Sequence, residues 1–257
     1  MKQAIVVVSF GTTHPDTREQ AIGAVERAVQ ARFPDIPVYR AFTSRVVIKV
    51  TKENEGLAIP SLGELMDSLR TQGVTHLTVQ PTHIIHGEEY DKLCAEVQAH
   101  AAGFESIRLG EPLLDKTEDY FAVLNAAVPF YQLKEGEALL WMGHGTSHFA
   151  DAAYSALDSM AKDAGYDNVF VTTVEGYPTL EAAEKKLNQA GYRSICLAPM
   201  MVVAGDHAKN DMAGEEDSFL SKLTEEGYTV RCVLTGLGSI PAVQAIYLTH
   251  LEQAKER

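Results

Sequence analysis

Three residues with metal-binding chemistry stand just past short apolar runs: His144 after "ALLWMG", Glu175 at the end of "NVFVTTV", and His207 after "SICLAPMMVVAGD". Two imidazoles and a carboxylate suit a borderline divalent transition metal. An imidazole with a pKa near 6.5 can also accept a proton, so such a group can trade metal for protons near neutrality. A single strand-end histidine is most often a hydrogen-bonded capping group. The case for chemistry rests on several such residues at successive strand ends, including Glu89 in "HGEEY". The remaining candidates are Ser9, Thr12, Thr13, Ser44, Arg45, His83 and His86, which could bind a ligand's polar groups. His144 and His148 have the i,i+4 spacing of a helical zinc pair, but Gly145 lies between them and no HExxH follows.

The elements that must position these residues alternate. Eight runs rich in Val, Ile and Leu ("AIVVVSF", "PVYRAFT", "HLTVQP", "SIRLG", "ALLWMG", "NVFVTTV", "SICLAP", "TVRCVL") are separated by amphipathic stretches. Short, continuously apolar runs are expected of parallel strands covered on both faces, and the alternation predicts an α/β fold. In "TREQAIGAVERAVQARF", Ile22, Val25, Val29 and Phe33 recur at helical spacing. "LEQAKER" reads as the end of the last helix.

The chain also reads as a duplication. Gly11 to His14 matches Gly145 to His148, and residues 62–93 align with 180–211 without a gap. Leu62/Leu180, Leu69/Leu187, Gly73/Gly191, Pro81/Pro199 and Gly87/Gly205 keep one offset of 118. This predicts two Rossmann-like halves, 1–128 and 136–257, each a four-stranded parallel sheet flanked by helices, with an active-site cleft between them. Ligands of open α/β sheets sit beyond the carboxyl ends of the strands. By the same alignment Glu89 is the mate of His207, and Phe10 the mate of His144. "APMMVVAGDH" and its twin "QPTHIIHGEE" read as third strands with abruptly polar ends.

Bulk properties exclude several classes. The 257 residues carry a net charge of −13, which disfavours nucleic-acid binding. The apolar run near the start, followed by Asp16, Arg18 and Glu19, reads as a first strand rather than a signal peptide, and no run reaches the ~18 residues of a membrane span. Cys94, Cys196 and Cys232 have no zinc or disulfide spacing, and a reducing cytoplasm fits them. No GxSxG elbow is present, and no GxGxxG follows the first strand.

Taken together, "VVVSFGTTHPDT", "RAFTSRVV", "HIIHGEEYDKL", "MGHGTSH", "VEGYP" and "MMVVAGDHAKNDM" resemble the anaerobic-pathway cobalt chelatases, the class II group related in fold to ferrochelatase. The resemblance runs nearly end to end. It implies insertion of Co(II) into sirohydrochlorin or precorrin-2 in cobalamin biosynthesis, with no organic cofactor and the metal as a substrate. It implies that His144 and His207 are the key imidazoles, that Glu89 assists, and that Glu175 joins the histidines around cobalt. His86 departs from the pattern, which has Asn there. Rival expectations are Fe(II) insertion for siroheme, Ni(II) insertion, a metal-dependent hydrolase, and a non-catalytic tetrapyrrole- or metal-binding module. Homo-oligomerisation is left open.

Overall fold

A computed structural model describes residues 1–256. All eight apolar runs form strands. In the first sheet, β1 (Gln3–Ser9), β2 (Val38–Phe42), β3 (His76–Pro81) and β4 (Ser106–Leu109) lie in the order β2-β1-β3-β4. In the second, β5 (Glu137–Gly143), β6 (Val169–Thr173), β7 (Ser194–Pro199) and β8 (Thr229–Cys232) lie in the order β6-β5-β7-β8. Corresponding strands occupy corresponding places, and every pair among these eight is parallel. Even the register repeats: Val8 pairs with Pro81, and Met142 with Pro199.

Local chemistry repeats as well. Ser61 and Thr179, repeat-mates, each cap a helix by accepting from the backbone N–H of its third residue, Glu64 and Ala182 respectively. Those helices, Leu62–Thr71 and Leu180–Ala190, are both followed by a left-handed glycine, Gly73 at φ 83° and Gly191 at φ 81°. Each sheet has its own core, around Val6, Val8, Leu69 and Leu77 in one and Leu140, Met142, Leu187 and Leu197 in the other.

Three expectations need correction. First, the initial sheet has a fifth strand. β9 (Lys255–Glu256) pairs antiparallel with β4, covering an otherwise open edge, so the helix Pro241–Glu252 ends inside "LEQAKER" and Lys255–Glu256 form strand. Second, the compact units are Met1–Asp115 with Gln244–Arg257, and Lys116–Val243, rather than 1–128 and 136–257. The terminal helix belongs largely to the first unit because Tyr247, fully buried, donates to the Thr82 carbonyl at 2.8 Å. The helix Thr117–Ala127 belongs to the second, where Asn125 accepts from the Tyr166 hydroxyl at 3.0 Å. Third, β7 stops at Pro199 instead of running through "MMVVAGDH". One last sheet bond follows, from the Met200 N–H to the Met142 carbonyl at 2.8 Å, and the chain then leaves the sheet. β3 stops likewise at Pro81.

Candidate metal-exchange site

His144 follows β5 directly, and His207 lies in the short helical turn after β7, adjacent strands of one sheet. Their Nε2 atoms are 3.1 Å apart, and the rings meet edge to face with centroids 4.5 Å apart. The outer nitrogens fix the tautomers. Nδ1 of His144 lies 2.8 Å from the Gly145 carbonyl, which can only accept. Nδ1 of His207 lies 2.8 Å from Asp211 Oδ2, also an acceptor when ionised. Both Nδ1 atoms therefore donate, which leaves the two Nε2 positions facing each other as the sites for lone pairs. Two converging lone pairs at 3.1 Å require an electrophile between them, either a proton or a metal ion. Donors bound at ~2.1 Å to a tetrahedral ion sit ~3.4 Å apart, so the pair needs to open only slightly for a metal.

The loop after β5 is held rigidly. Gly145 adopts φ 82°, and a Cβ there would lie 2.4 Å from the Gly176 backbone nitrogen. Asp151 accepts from the Thr146 N–H at 3.0 Å and the Tyr177 N–H at 2.7 Å, tying the loop that carries His144 to the one that carries Glu175. The Glu175 N–H donates to the His144 carbonyl at 2.9 Å, so the two residues are backbone neighbours. The Glu175 side chain is exposed. Among the described residues, one group of metal-ligating side chains has all its donor atoms within 4.8 Å of one another, and it is not this one. The structure thus brings His144 and His207 together without closing Glu175 onto them. His148 is used locally: its Nδ1 accepts from the Ala150 N–H at 3.2 Å.

The other sequence candidates belong to the first unit. Buried Ser9 accepts from the Thr82 hydroxyl at 2.8 Å, and buried Thr12 accepts from the His14 N–H at 3.3 Å. Thr13 is half-buried, Ser44 caps the helix Arg45–Glu55 by accepting from the Val47 N–H, and Arg45 is exposed. The Glu89 carboxylate accepts from Lys92 at 2.7 Å and from the Thr43 hydroxyl at 3.3 Å. His86 Nε2 lies 2.8 Å from Asp115 Oδ1. His83 has both ring nitrogens buried without a hydrogen-bond partner. Burial holds its pKa down to about 4, against an opposing pull from Glu89.

Sequence reasoning missed Asp211 and Asp151. Asp211 was legible in principle, four residues after His207 and so one helical turn away. Asp151 carries no such signal, because its role is to join two loops distant in sequence.

Over nearly its full length the chain is similar to known proteins. It is 39% identical over 256 residues to the sirohydrochlorin cobaltochelatase of Salmonella typhimurium, covering 99% of this chain and 97% of that protein. It is 33% identical over 259 residues to the sirohydrochlorin cobaltochelatase CbiKC of Nitratidesulfovibrio vulgaris, covering 98% and 90%. The fold is shared with the sirohydrochlorin chelatase SirB of Bacillus subtilis subspecies spizizenii, solved with cobalt, at a TM-score of 0.65 and 14% identity over 98% of this chain and 95% of that one. The family model described as cobalt chelatase (CbiK) matches residues 3–256, and the chain belongs to that family.

Proposed function

We propose that this protein inserts Co(II) into sirohydrochlorin, releasing two protons, and that the His144–His207 pair is where metal and proton exchange. The carrying observation is the pair of Nε2 lone pairs converging at 3.1 Å, with both Nδ1 positions committed to acceptors. Such a pair holds one electrophile at a time. With Co(II) delivered to the macrocycle, the vacated lone pairs can take a proton from a pyrrole N–H. The hydrogen bond from His207 to Asp211 stabilises the ring when it carries either positive species.

Metallation displaces two protons, and one imidazole pair shares only one. A second base is required, and Glu89 is the proposed acceptor. Glu175 is the proposed third metal ligand, closing when the ion binds; its backbone position beside His144 supports this. For a substrate rich in carboxylates and a protein of net charge −13, local donors must overcome the overall field. Exposed Arg45 and half-buried Thr13 are the proposed donors, with Ser9, Thr12, Ser44, His83 and His86 forming the polar wall. Cobalt is the metal favoured by the names of the relatives. Nickel and copper bind nitrogen donors more tightly, so delivery geometry rather than affinity must select it.

The test is a visible-absorbance assay of sirohydrochlorin with Co(II), Fe(II) and Ni(II), on wild type and His207→Ala. The expected result is fastest enzyme-dependent insertion with Co(II) and a loss of at least ~100-fold in the variant. Wild-type insertion rates in His207→Ala would overturn the assignment. Glu175→Gln is expected to weaken Co(II) binding in calorimetry, and an unchanged titration would leave Glu175 a structural residue.

A further inference from the structure

The trio of donor side chains that does lie together is in the first unit: His86, Glu111 and Asp115, with ligand atoms all within 4.8 Å of one another. We propose that these three residues form a second divalent transition-metal site, separate from the His144–His207 pair.

The donors come from two segments fastened side by side. The Leu113 N–H donates to the His83 carbonyl at 2.9 Å and the Leu114 N–H to the Ile84 carbonyl at 2.8 Å, so the loop bearing His86 and the segment bearing Glu111 and Asp115 are bound in parallel. Gln80 Nε2 holds the Glu111 carbonyl at 3.1 Å. Leu113 and Leu114 are fully buried, which anchors the segment. Two of the donors also have an orienting contact. His86 packs edge to face on Tyr90, with ring centroids 4.8 Å apart, and the Tyr90 hydroxyl donates to Glu111 Oε2 at 2.8 Å. Metal sites are typically built with ligands fixed in this way by a supporting shell.

The arrangement already contains a cation. Lys255 Nζ lies 3.0 Å from Glu111 Oε1, while its own side chain is 66% exposed and that of Glu111 only 12%. An exposed ammonium therefore partners a largely buried carboxylate, and a dication can displace it into water. Two carboxylates and a neutral imidazole then balance the ion's charge. Around a tetrahedral ion the donors would stand ~3.4 Å apart, so no separation within the 4.8 Å bound needs to contract by more than about 1.4 Å. One nitrogen and two carboxylate donors suit Co(II), Zn(II) or Mn(II).

Co(II) titration calorimetry tests the site on the full chain, with the His144→Ala/His207→Ala double variant as background. That variant is expected to retain one Co(II) equivalent. Adding Asp115→Asn should weaken the retained site at least tenfold. Adding Lys255→Met should tighten it several-fold, a gain that misfolding cannot produce. The proposal is overturned if the double variant binds no Co(II), if Asp115→Asn leaves its binding unchanged, or if Lys255→Met fails to tighten it. Because binding is read with the imidazole pair removed, none of these outcomes bears on the metallation reading.

Discussion

At the end of β3 the chain turns at Gly87 into the twelve-residue helix Glu88–Ala99, whereas at the end of β7 the aligned Gly205 leads into a turn that is over by Ala213. In the long helix, the mate of Asp211 is Leu93, fully buried in the core. In the short turn, the same position frees Asp211 to hold His207 at 2.8 Å. The mate of His207 is Glu89, paired with Lys92, and the mate of His144 is Phe10, half-exposed. Duplication supplied two equivalent frames. The second gave up part of a helix and gained an oriented imidazole pair.

The largest effect on this comparison should come from importing the first unit's residue into the second. Asp211→Leu is expected to lower Co(II) affinity by about 10- to 100-fold, as loss of a ligand's orienting partner does. Asp211→Asn, which keeps an acceptor, should lose less. Co(II) calorimetry measures both, and equal affinity for wild type and Asp211→Leu would show that the turn's departure has no bearing on metal binding.

The aligned glycines give the next test. Gly11 and Gly145 both have positive φ, 101° and 82°, so a side chain at either is strained. A Cβ at Gly11 meets the buried Phe42 ring, a side chain, at 2.6 Å; at Gly145 it meets backbone at 2.4 Å, which no rotamer change relieves. Gly145→Ala should therefore cost about 2 kcal/mol or more in urea unfolding and exceed the cost of Gly11→Ala. It should also weaken Co(II) binding, because His144 is the adjacent residue.

The smallest effect concerns His83, whose mate in the second unit is Met201. The folded-state pKa of His83 is near 4, against 6.5 for the free group. Its neutral burial thus contributes full stability above pH 6.5, and that contribution drains as pH falls toward 4. Between pH 6.5 and 5.5 the loss should be about 1 kcal/mol. Thermal melts of wild type and His83→Met should show a shallower decline in the variant, and identical slopes would remove His83 from the account.

The strand set was legible because both faces of each sheet are covered: consecutive residues such as Val7 and Val8, or Leu139 and Leu140, are all fully buried and must be apolar, which writes the strands as continuous runs. The duplication was legible because caps and left-handed glycines are local requirements, fixed by a few neighbouring residues. The strand ends were less so. "MMVV" is as apolar as a strand, yet no neighbouring strand extends far enough to pair with it, and pairing length is a property of the partners. The terminal strand was hidden for the same reason, since Lys255 and Glu256 have no strand character apart from the open edge of β4.

The sequence by itself determined the α/β class, the eight strands and their duplication, because periodicity and turn chemistry are properties of neighbours along the chain. Only the tertiary structure decided that His144 and His207 face each other through Nε2, that Asp211 and Gly145 fix their tautomers, that Glu175 stands open, and that His86, Glu111 and Asp115 meet. Hydrogen-bond direction and donor convergence depend on distances between segments far apart in sequence, and packing alone sets those.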